Sequence, residues 1–465
     1  MSNELELQDS PKDECGVFGI YSPSVDISAM TYYGLYALQH RGQESAGIAV
    51  SDGEKIKLYK NTGLVSDVFD EKILAGYTGK MAIGHVKYST RKDAGGVLNA
   101  QPLLFRYFQG QVALANNGRL TNANHWKRNL QTTGSVFQTT SDTEVFVNLI
   151  ARYSQNPIEE AVMKCMIDLK GAYSLVVMTE NKLLGVRDAF GIRPLCLGKL
   201  GDDGYVLASE TCALDVVGAE FIKDVDPGEI IIIDEKGYRS IKVPASGKHA
   251  ICSFEYIYLA RHDSIIDSRS VNMVRKRMGA ILARESKIEA DYVVPVPDSG
   301  IVAAFGYAEG SGVPLAEGLV KNRYIGRTFI KPSRELRELG VRLKLNPIKH
   351  VIKGKDIILV DDSLVRGTTS RKLISLLKNA GANKVHLVIT SPPVLHPCYY
   401  GIDIATREEL IAANNDLEGI RAYIGADSLT YLSFEGLREA MGDEKFCQAC
   451  FSGEYPAEIP DALGG

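Results

Sequence analysis

The chain has 465 residues, which at ~100–200 residues per domain suggests two domains and a tail. Hydrophobic residues make up 45% and charged residues 24%, as in ordinary soluble globular proteins. The net charge of −4 gives no reason to expect a nucleic-acid partner, and no apolar run approaches the ~18 residues of a membrane span.

In chain order, residues 1–14 come first. They carry Glu4, Glu6, Asp9, Asp13 and Glu14 against Lys12, and Pro11 lies near their end. They read as a disordered leader, not as a secretory signal, which needs a basic start and an apolar stretch. A cytoplasmic protein is expected, and its eight cysteines are poor disulfide candidates. Cysteines at unusual positions then read as catalytic or metal-binding. From Cys15 to about Val243, short strand-like runs alternate with Gly, Asn and Asp: Cys15–Tyr21, Met81–Tyr88, Gln111–Ala115, Tyr173–Met178, Lys182–Arg187, Tyr205–Ser209 and Glu229–Ile233. Helical stretches lie around Ile27–Gln39 and Asp142–Ser154. This pattern predicts an antiparallel-rich α+β domain. A boundary is expected at Pro244–Lys248. Beyond it, a helix at about Ser270–Lys287, strands at Asp291–Val296, Asp356–Val360 and Lys384–Thr390, and a helix at Ser370–Asn379 alternate as in an α/β domain with a parallel sheet. The tail, Gly442–Gly465, is expected to wrap over the body. The expected division is leader 1–14, first domain 15–245, second domain 250–440 and tail 441–465.

The segment Lys355–Ser370 carries the densest chemistry. An apolar strand delivers Asp361, Asp362 and Ser363 to its C-terminal end, where ligands bind in open α/β sheets. Arg366 follows, and Gly367 allows a tight turn around a phosphate. Thr368, Thr369 and Ser370 supply hydroxyls and N–H groups at a helix N-terminus, which favours an anion. The paired acids suit ribose hydroxyls or Mg²⁺, a hard cation that prefers oxygen. The competing reading is a buried strand ending in a helix cap. The run resembles the phosphoribosyl pyrophosphate (PRPP) signature of type I phosphoribosyltransferases. Val296-Pro-Asp298-Ser299-Gly300 corresponds to their matching loop and puts Ser299 within reach of pyrophosphate or the cation. Between these segments, Lys321, Arg323, Arg327, Lys331, Arg334, Arg337, Arg342 and Lys344 face only Glu335 and Glu338. That stretch is either a solvated charged face or a lid that closes over pyrophosphate and excludes water. Lys321, Arg323 and Tyr324 are its candidate PRPP contacts.

Cys15 opens a strand directly after the leader. A cysteine is a strong nucleophile when a base is near, and no His lies beside it. Removal of the leader would make its own α-amino group the base, with a pKa of roughly 7.7–8.0. Downstream, the Asn117 amide and the Gly118 N–H form a plausible oxyanion hole. Asp142 can hold an ammonium group and Lys87 a carboxylate, the two ends of an amino acid. Such a site would hydrolyse that amino acid's side-chain amide.

Taken with Gln39-His-Arg41-Gly-Gln-Glu44 and Gly84-His-Val-Lys87, these motifs resemble, in this order, the class II glutamine amidotransferase domain. With the downstream loop, the whole chain from Cys15 to about Tyr455 is similar to the glutamine phosphoribosylpyrophosphate amidotransferase family. The resemblance implies a four-layer N-terminal-nucleophile hydrolase domain, two antiparallel sheets between helices, followed by a type I phosphoribosyltransferase domain. It implies formation of 5-phosphoribosylamine, glutamate and pyrophosphate from PRPP, glutamine and water, the committed step of purine synthesis. It also implies glutamine contacts at Arg41, a homotetramer, and feedback inhibition by purine nucleotides. The family usually has Arg where this chain has Lys87, followed by Ala/Gly-Gly where this chain has Arg91-Lys92. It usually has His where this chain has Asn116. An ammonia-dependent transferase with a weakened glutaminase half, and a non-catalytic PRPP sensor, are the alternatives. One branch of the family keeps its leader and holds a [4Fe–4S] cluster with ligands at positions matching Cys252, Cys398, Cys447 and Cys450. Four thiolates suit such a cluster or tetrahedral zinc. Cys165, Cys196 and Cys212 read as core residues.

Overall fold

The computed structural model describes residues 15–88, 96–243, 248–322, 345–404, 406–442 and 445–460. The leader, the boundary residues 244–247 and most of the expected lid, with Arg323 and Tyr324, lie outside the described residues.

The first half folds as two antiparallel sheets face to face. Its strands are β1 (Gly16–Tyr21), β2 (Ser45–Ser51), β3 (Ile56–Thr62), β4 (Met81–Lys87), β5 (Leu103–Tyr107), β6 (Gly110–Leu120), β7 (Gly171–Met178), β8 (Leu183–Arg187), β9 (Cys196–Leu200), β10 (Gly204–Ala208), β11 (Glu220–Asp224), β12 (Glu229–Asp234) and β13 (Gly237–Lys242). The order is β11-β9-β10-β1-β4-β2-β3 in one sheet and β13-β12-β8-β7-β6-β5 in the other. Val17, Ile83, Ala113, Ala115, Val176, Leu207 and Ile231 fill the space between them. Helices Ile27–Ala37 and Thr211–Val217 cover the outer face of the first sheet, where Phe18, Leu35 and Leu214 meet. Helices Ala123–Thr132, Thr143–Arg152 and Ile158–Asp168 cover the second through Val145, Leu149 and Val162. Central strands such as β7 are buried on both faces, so they read as apolar runs with little alternation. The expected four-layer sandwich is therefore the observed one.

The second half carries β14 (Ile251–Cys252), a hairpin of β15 (Ile265–Ile266) and β16 (Arg269–Ser270), β17 (Tyr292–Pro295), β18 (Leu319–Lys321), β19 (Leu345–Pro347), β20 (Asp356–Asp361), β21 (Lys384–Ile389), β22 (Ser428–Tyr431) and β23 (Phe446–Cys447). The central sheet, β17-β20-β21-β22, is parallel throughout. Helix Val271–Ser286 starts where the Ser270 hydroxyl accepts from Met273 N. Helix Thr368–Asn379 leaves β20 through the phosphate-loop segment. Tertiary context supplies what the sequence pattern does not announce. Helix Ile301–Ser311 is almost uniformly apolar and lacks a helical stripe. It becomes visible only as a partner of helix Val271–Ser286.

One segment differs from expectation. Asn116, Asn117 and Gly118 do not follow a strand; they lie inside β6, paired with Leu175, Ser174 and Tyr173 of β7. Beyond Leu114, β6 pairs with β7 alone, so the polar run lies where the ladder uses only one edge of the strand.

Candidate active sites

Two sites emerge, one at the end of each half. At the first, the β1–β4 register runs to Gly16 opposite Val86, so Cys15 continues level with Lys87. Ser45 of β2 pairs with Lys87 on its other side. The Lys87 ammonium donates to Asn99 O at 3.3 Å. Asn99 is locked in turn by Thr140, whose N–H donates to Asn99 Oδ1 at 3.1 Å. Lys60 stands on the same side. Burial first, then the charge of Lys87, lowers its pKa to about 8. His85 is fully buried and donates from Nε2 to Asn116 O at 3.0 Å. Burial holds its pKa down at about 3, so the ring is neutral near pH 7.

Asn117 is fully buried, and neither side-chain amide atom has a hydrogen-bond partner among the described residues. An amide left in that state costs free energy until a ligand meets it. Gly118 has φ of 127°, and a Cβ there would lie 2.2 Å from Ala172 O, so only glycine fits. Asp142 directly precedes helix Thr143–Arg152 without a side-chain bond to it, and its carboxylate accepts from Leu120 N at 2.8 Å. Glu144, fully buried, accepts from the N–H groups of Gln138 and Thr139 at 2.7 Å each and fixes the approach to Asp142. Register thus places Cys15 level with Lys87, the His85–Asn116 contact sets β6 with Asn117 and Gly118 against β4, and Asp142 meets β6 at Leu120.

Arg41 is placed differently from a simple ligand contact. It packs behind Gly16 and is buried. Its guanidinium pairs with Glu210 and Glu255. Glu210 also takes His40 Nε2 at 2.7 Å and the Ser264 hydroxyl at 2.7 Å. Burial alone would raise the Glu210 pKa. The charges of His40 and Arg41 and these hydrogen bonds override burial and hold it well below the carboxylate range. Sequence reasoning missed Glu210 and Glu255, whose partners lie 169 and 214 residues away from them in the chain. No local signal marks such acids.

At the second site, β20 ends in Asp361 and Asp362 follows it, both buried. Asp362 N donates to Asp361 Oδ1 at 3.0 Å, and the Ser363 hydroxyl to Asp362 Oδ1 at 2.6 Å. Burial raises the Asp362 pKa, and hydroxyls of Ser299 and Ser363 oppose that rise. Ser299 therefore meets Asp362. Gly367 takes φ of 76° ahead of helix Thr368–Asn379, putting Thr368, Thr369 and Ser370 in its first turn. Lys321 pairs with Asp298 of the neighbouring loop at 2.5 Å. An open cleft of about 790 Å³ adjoins them, lined also by His262, Asn272 and Lys276, which the sequence pattern leaves unmarked. Arg366 is engaged by Glu409 at 2.9 Å.

The cysteines also converge. Cys252 and Cys447 face each other in the β14–β23 pair. Leu395 N and His396 N donate to Cys450 O at 2.9 Å, bringing the Cys398 segment alongside. Burial holds the thiols of Cys252 and Cys450 well above their ordinary range and pushes Cys447 up to about 12. Among the described residues, no three His, Cys, Asp or Glu side chains are arranged to hold a metal ion as they stand.

The fold and both sites define a class: a glutamine amidotransferase joined to a phosphoribosyltransferase. The model of the glutamine amidotransferase domain matches residues 91–216, and that of the phosphoribosyl transferase domain matches residues 263–393. An amidophosphoribosyltransferase of Bacillus subtilis is 50% identical over 455 residues, covering 96% of this chain and 95% of that protein. One of Archaeoglobus fulgidus is 48% identical over 453 residues, covering 96% and 98%. The solved glutamine PRPP amidotransferase from B. subtilis, complexed with ADP and GMP, superposes with a TM-score of 0.92 at 49% identity, covering 97% of this chain and 99% of that one. The chain belongs to the amidophosphoribosyltransferase family. It is an enzyme of the first step of purine biosynthesis, with a glutaminase half and a PRPP half.

Proposed function

We propose that Cys15, freed of its leader, attacks the side-chain amide of glutamine with its own α-amino group as base. Asn117 and Gly118 hold the oxyanion, Asp142 the ammonium and Lys87 the carboxylate. Arg41 supports this end from behind Cys15. Ammonia leaves, and water hydrolyses the thioester to glutamate. The ammonia passes inside the protein, which keeps it unprotonated. It attacks C1 of PRPP and displaces pyrophosphate, giving 5-phosphoribosylamine.

In this reading PRPP lies on Asp361, Asp362, Ser363, Arg366, Gly367, Thr368, Thr369 and Ser370, with Lys321, Arg323 and Tyr324 over it. The buried carboxylates and Ser299 offer the oxygen donors that Mg²⁺ prefers, and Mg²⁺, when bound, would screen the leaving pyrophosphate. We read the four cysteines as ligands of a [4Fe–4S] cluster with a structural role, as in the branch of the family that they resemble; buried protonated thiols need a metal to become thiolates, and tetrahedral zinc is the alternative. Purine nucleotides as inhibitors, a homotetramer, a cytoplasmic setting and the domain limits 15–245 and 250–440 complete the reading.

The observation that carries it is the buried Asn117 amide, unpartnered among the described residues, in the same molecule as the acid pair at the end of β20. Lys87 and Asn116 favour a second reading, in which ammonia use outweighs glutamine use. The test is glutamate release from glutamine with and without PRPP. PRPP-stimulated release supports the first reading and excludes both the ammonia-only enzyme and the sensor. Phosphoribosylamine formed from ammonia but not from glutamine selects the second. A mature, active protein still starting at residue 1 or 2 contradicts the α-amino base.

A further inference from the structure

The strand segment that carries Asn117 and Gly118 is enclosed from two directions. On one side stands β7, where a Cβ on Gly118 would meet Ala172 O. The other neighbour comes from the second half of the chain. A Cβ built on Gly401 would stand 3.3 Å from Gly118 Cα, 3.4 Å from the Gly118 carbonyl carbon and 2.9 Å from Arg193 Nη2. Two glycines therefore meet backbone against backbone, and the contact has no room for a methyl group.

Arg193 holds that contact and is itself fully buried. Its backbone is pinned to the first half: its N–H donates to Asp188 Oδ2 at 3.3 Å, and its carbonyl accepts from Arg187 Nε at 2.8 Å. Its guanidinium crosses to the second half, where Nε and Nη2 both donate to Tyr400 O, at 3.1 and 2.5 Å. Tyr400 directly precedes Gly401. On its other edge, Arg193 Nη1 lies 3.8 Å from Glu255 Oε1. Glu255 also pairs with Arg41, which packs on Gly16 next to Cys15 in the chain. One buried cation thus stands between the backbone that presses on Gly118 and the carboxylate that holds Arg41. The sequence reading assigns Arg193, Tyr400 and Gly401 nothing, and neither catalytic step uses them.

We propose that Arg193 is a positioning residue for the oxyanion site: it clamps the Tyr400–Gly401 backbone against Gly118, so that the second half of the chain forms the rear wall of the glutamine site. This inference rests on the oxyanion role proposed above for Asn117 and Gly118. Beyond Leu114, β6 has a ladder partner on one edge only, so a contact from outside the sheet limits how far Gly118 can move. A donor stabilises developing charge only when it is held where that charge appears, and a misplacement of about 1 Å can cost about 100-fold in rate. Binding of the intact amino acid through its ammonium and carboxylate does not depend on that distance. The tetrahedral intermediate does.

The test uses full-length protein and Arg193→Lys, which keeps a charge near Glu255 but cannot aim two donors at Tyr400 O. Four quantities are measured: kcat/KM for glutamate release from glutamine, calorimetric affinity for glutamate, the rate at which iodoacetamide alkylates Cys15, and phosphoribosylamine formation from ammonia. Alkylation by iodoacetamide needs the thiolate and no oxyanion hole, and glutamate reports the ground-state contacts. In Arg193→Lys, kcat/KM for glutamine should fall about 10- to 100-fold. The other three should stay within about threefold of wild type. A kcat/KM within about threefold of wild type overturns the proposal and leaves the two-site enzyme standing. So does a fall that any of the other three quantities shares, because a merely structural role moves them together. If Arg193→Lys fails to fold, Gly401→Ala, which puts a methyl group into the contact itself, decides by the same criteria. A wild-type protein that releases no glutamate overturns the glutaminase reading and this inference together.

Discussion

Lys87 brings one point charge to a place where a guanidinium would bring a planar pair of donors. Its ammonium is already shared with Asn99 O, and Lys60 stands close enough to feel it. Lys87→Arg should therefore tighten the grip on a glutamine carboxylate, lowering KM for glutamine roughly tenfold, about 1.4 kcal/mol. Steady-state glutamate release measures this, and an unchanged KM removes Lys87 from the glutamine site. The residues that the sequence makes legible share a property. Cys15, Asn117–Gly118, Asp142 and Asp361–Ser370 each sit in a short run whose neighbours repeat the message. Arg41 is legible as important but not in its contacts, because Glu210 and Glu255 reach it from distant parts of the chain.

The hairpin β15–β16 shows how an element is held by chemistry outside itself. Its turn residues Asp267 and Ser268 take φ of 45° and 61°, in the left-handed region. Arg187, at the end of β8, donates to both Asp267 carboxylate oxygens at 2.8 and 3.0 Å. Asp224, at the end of β11, accepts from Ser268 N at 3.1 Å. Burial first, and then the charge of Asp267, push the Asp224 carboxyl up to about 6. An acid with a raised folded pKa binds its proton more tightly folded than unfolded. Its contribution to stability therefore falls as pH climbs from about 4 to about 6, and is level above that. Asp224→Asn keeps the acceptor for Ser268 without the charge. It should be close to neutral at pH 4 and stabilising by on the order of 1–3 kcal/mol at pH 7. The difference in urea-unfolding free energy between the two proteins across that range measures it, and a pH-independent difference would contradict it.

At the scale of the whole molecule, the chain is tied across its halves. Arg193, in the first half, donates from Nε to Tyr400 O at 3.1 Å in the second. The tail returns to the body where Ala457 N donates to the Tyr400 hydroxyl at 3.0 Å and the Tyr455 hydroxyl to Pro397 O at 2.7 Å. The four cysteines meet at this junction. Anaerobically purified protein should show absorbance extending into the visible range together with iron and acid-labile sulfide. Zinc alone would exclude the cluster. Removing the metal should expose the tail after Phe446 to protease, because buried thiols without a metal keep their protons and repay none of the cost of closure.

By itself the sequence determined the two fold classes and their order, and it marked Cys15 and the run Lys355–Ser370 as the candidates for chemistry. Each is written in contiguous residues: strand period, an acid pair at a strand end, glycine and hydroxyls at a helix start. Only the tertiary structure decided that Asn117 lies inside β6 with its amide unpartnered among the described residues, and that Arg41 is held by Glu210 and Glu255. Those are pairings of buried charge and polar atoms across long stretches of chain. Their partners are chosen by burial and packing, and neither is visible until the layers close.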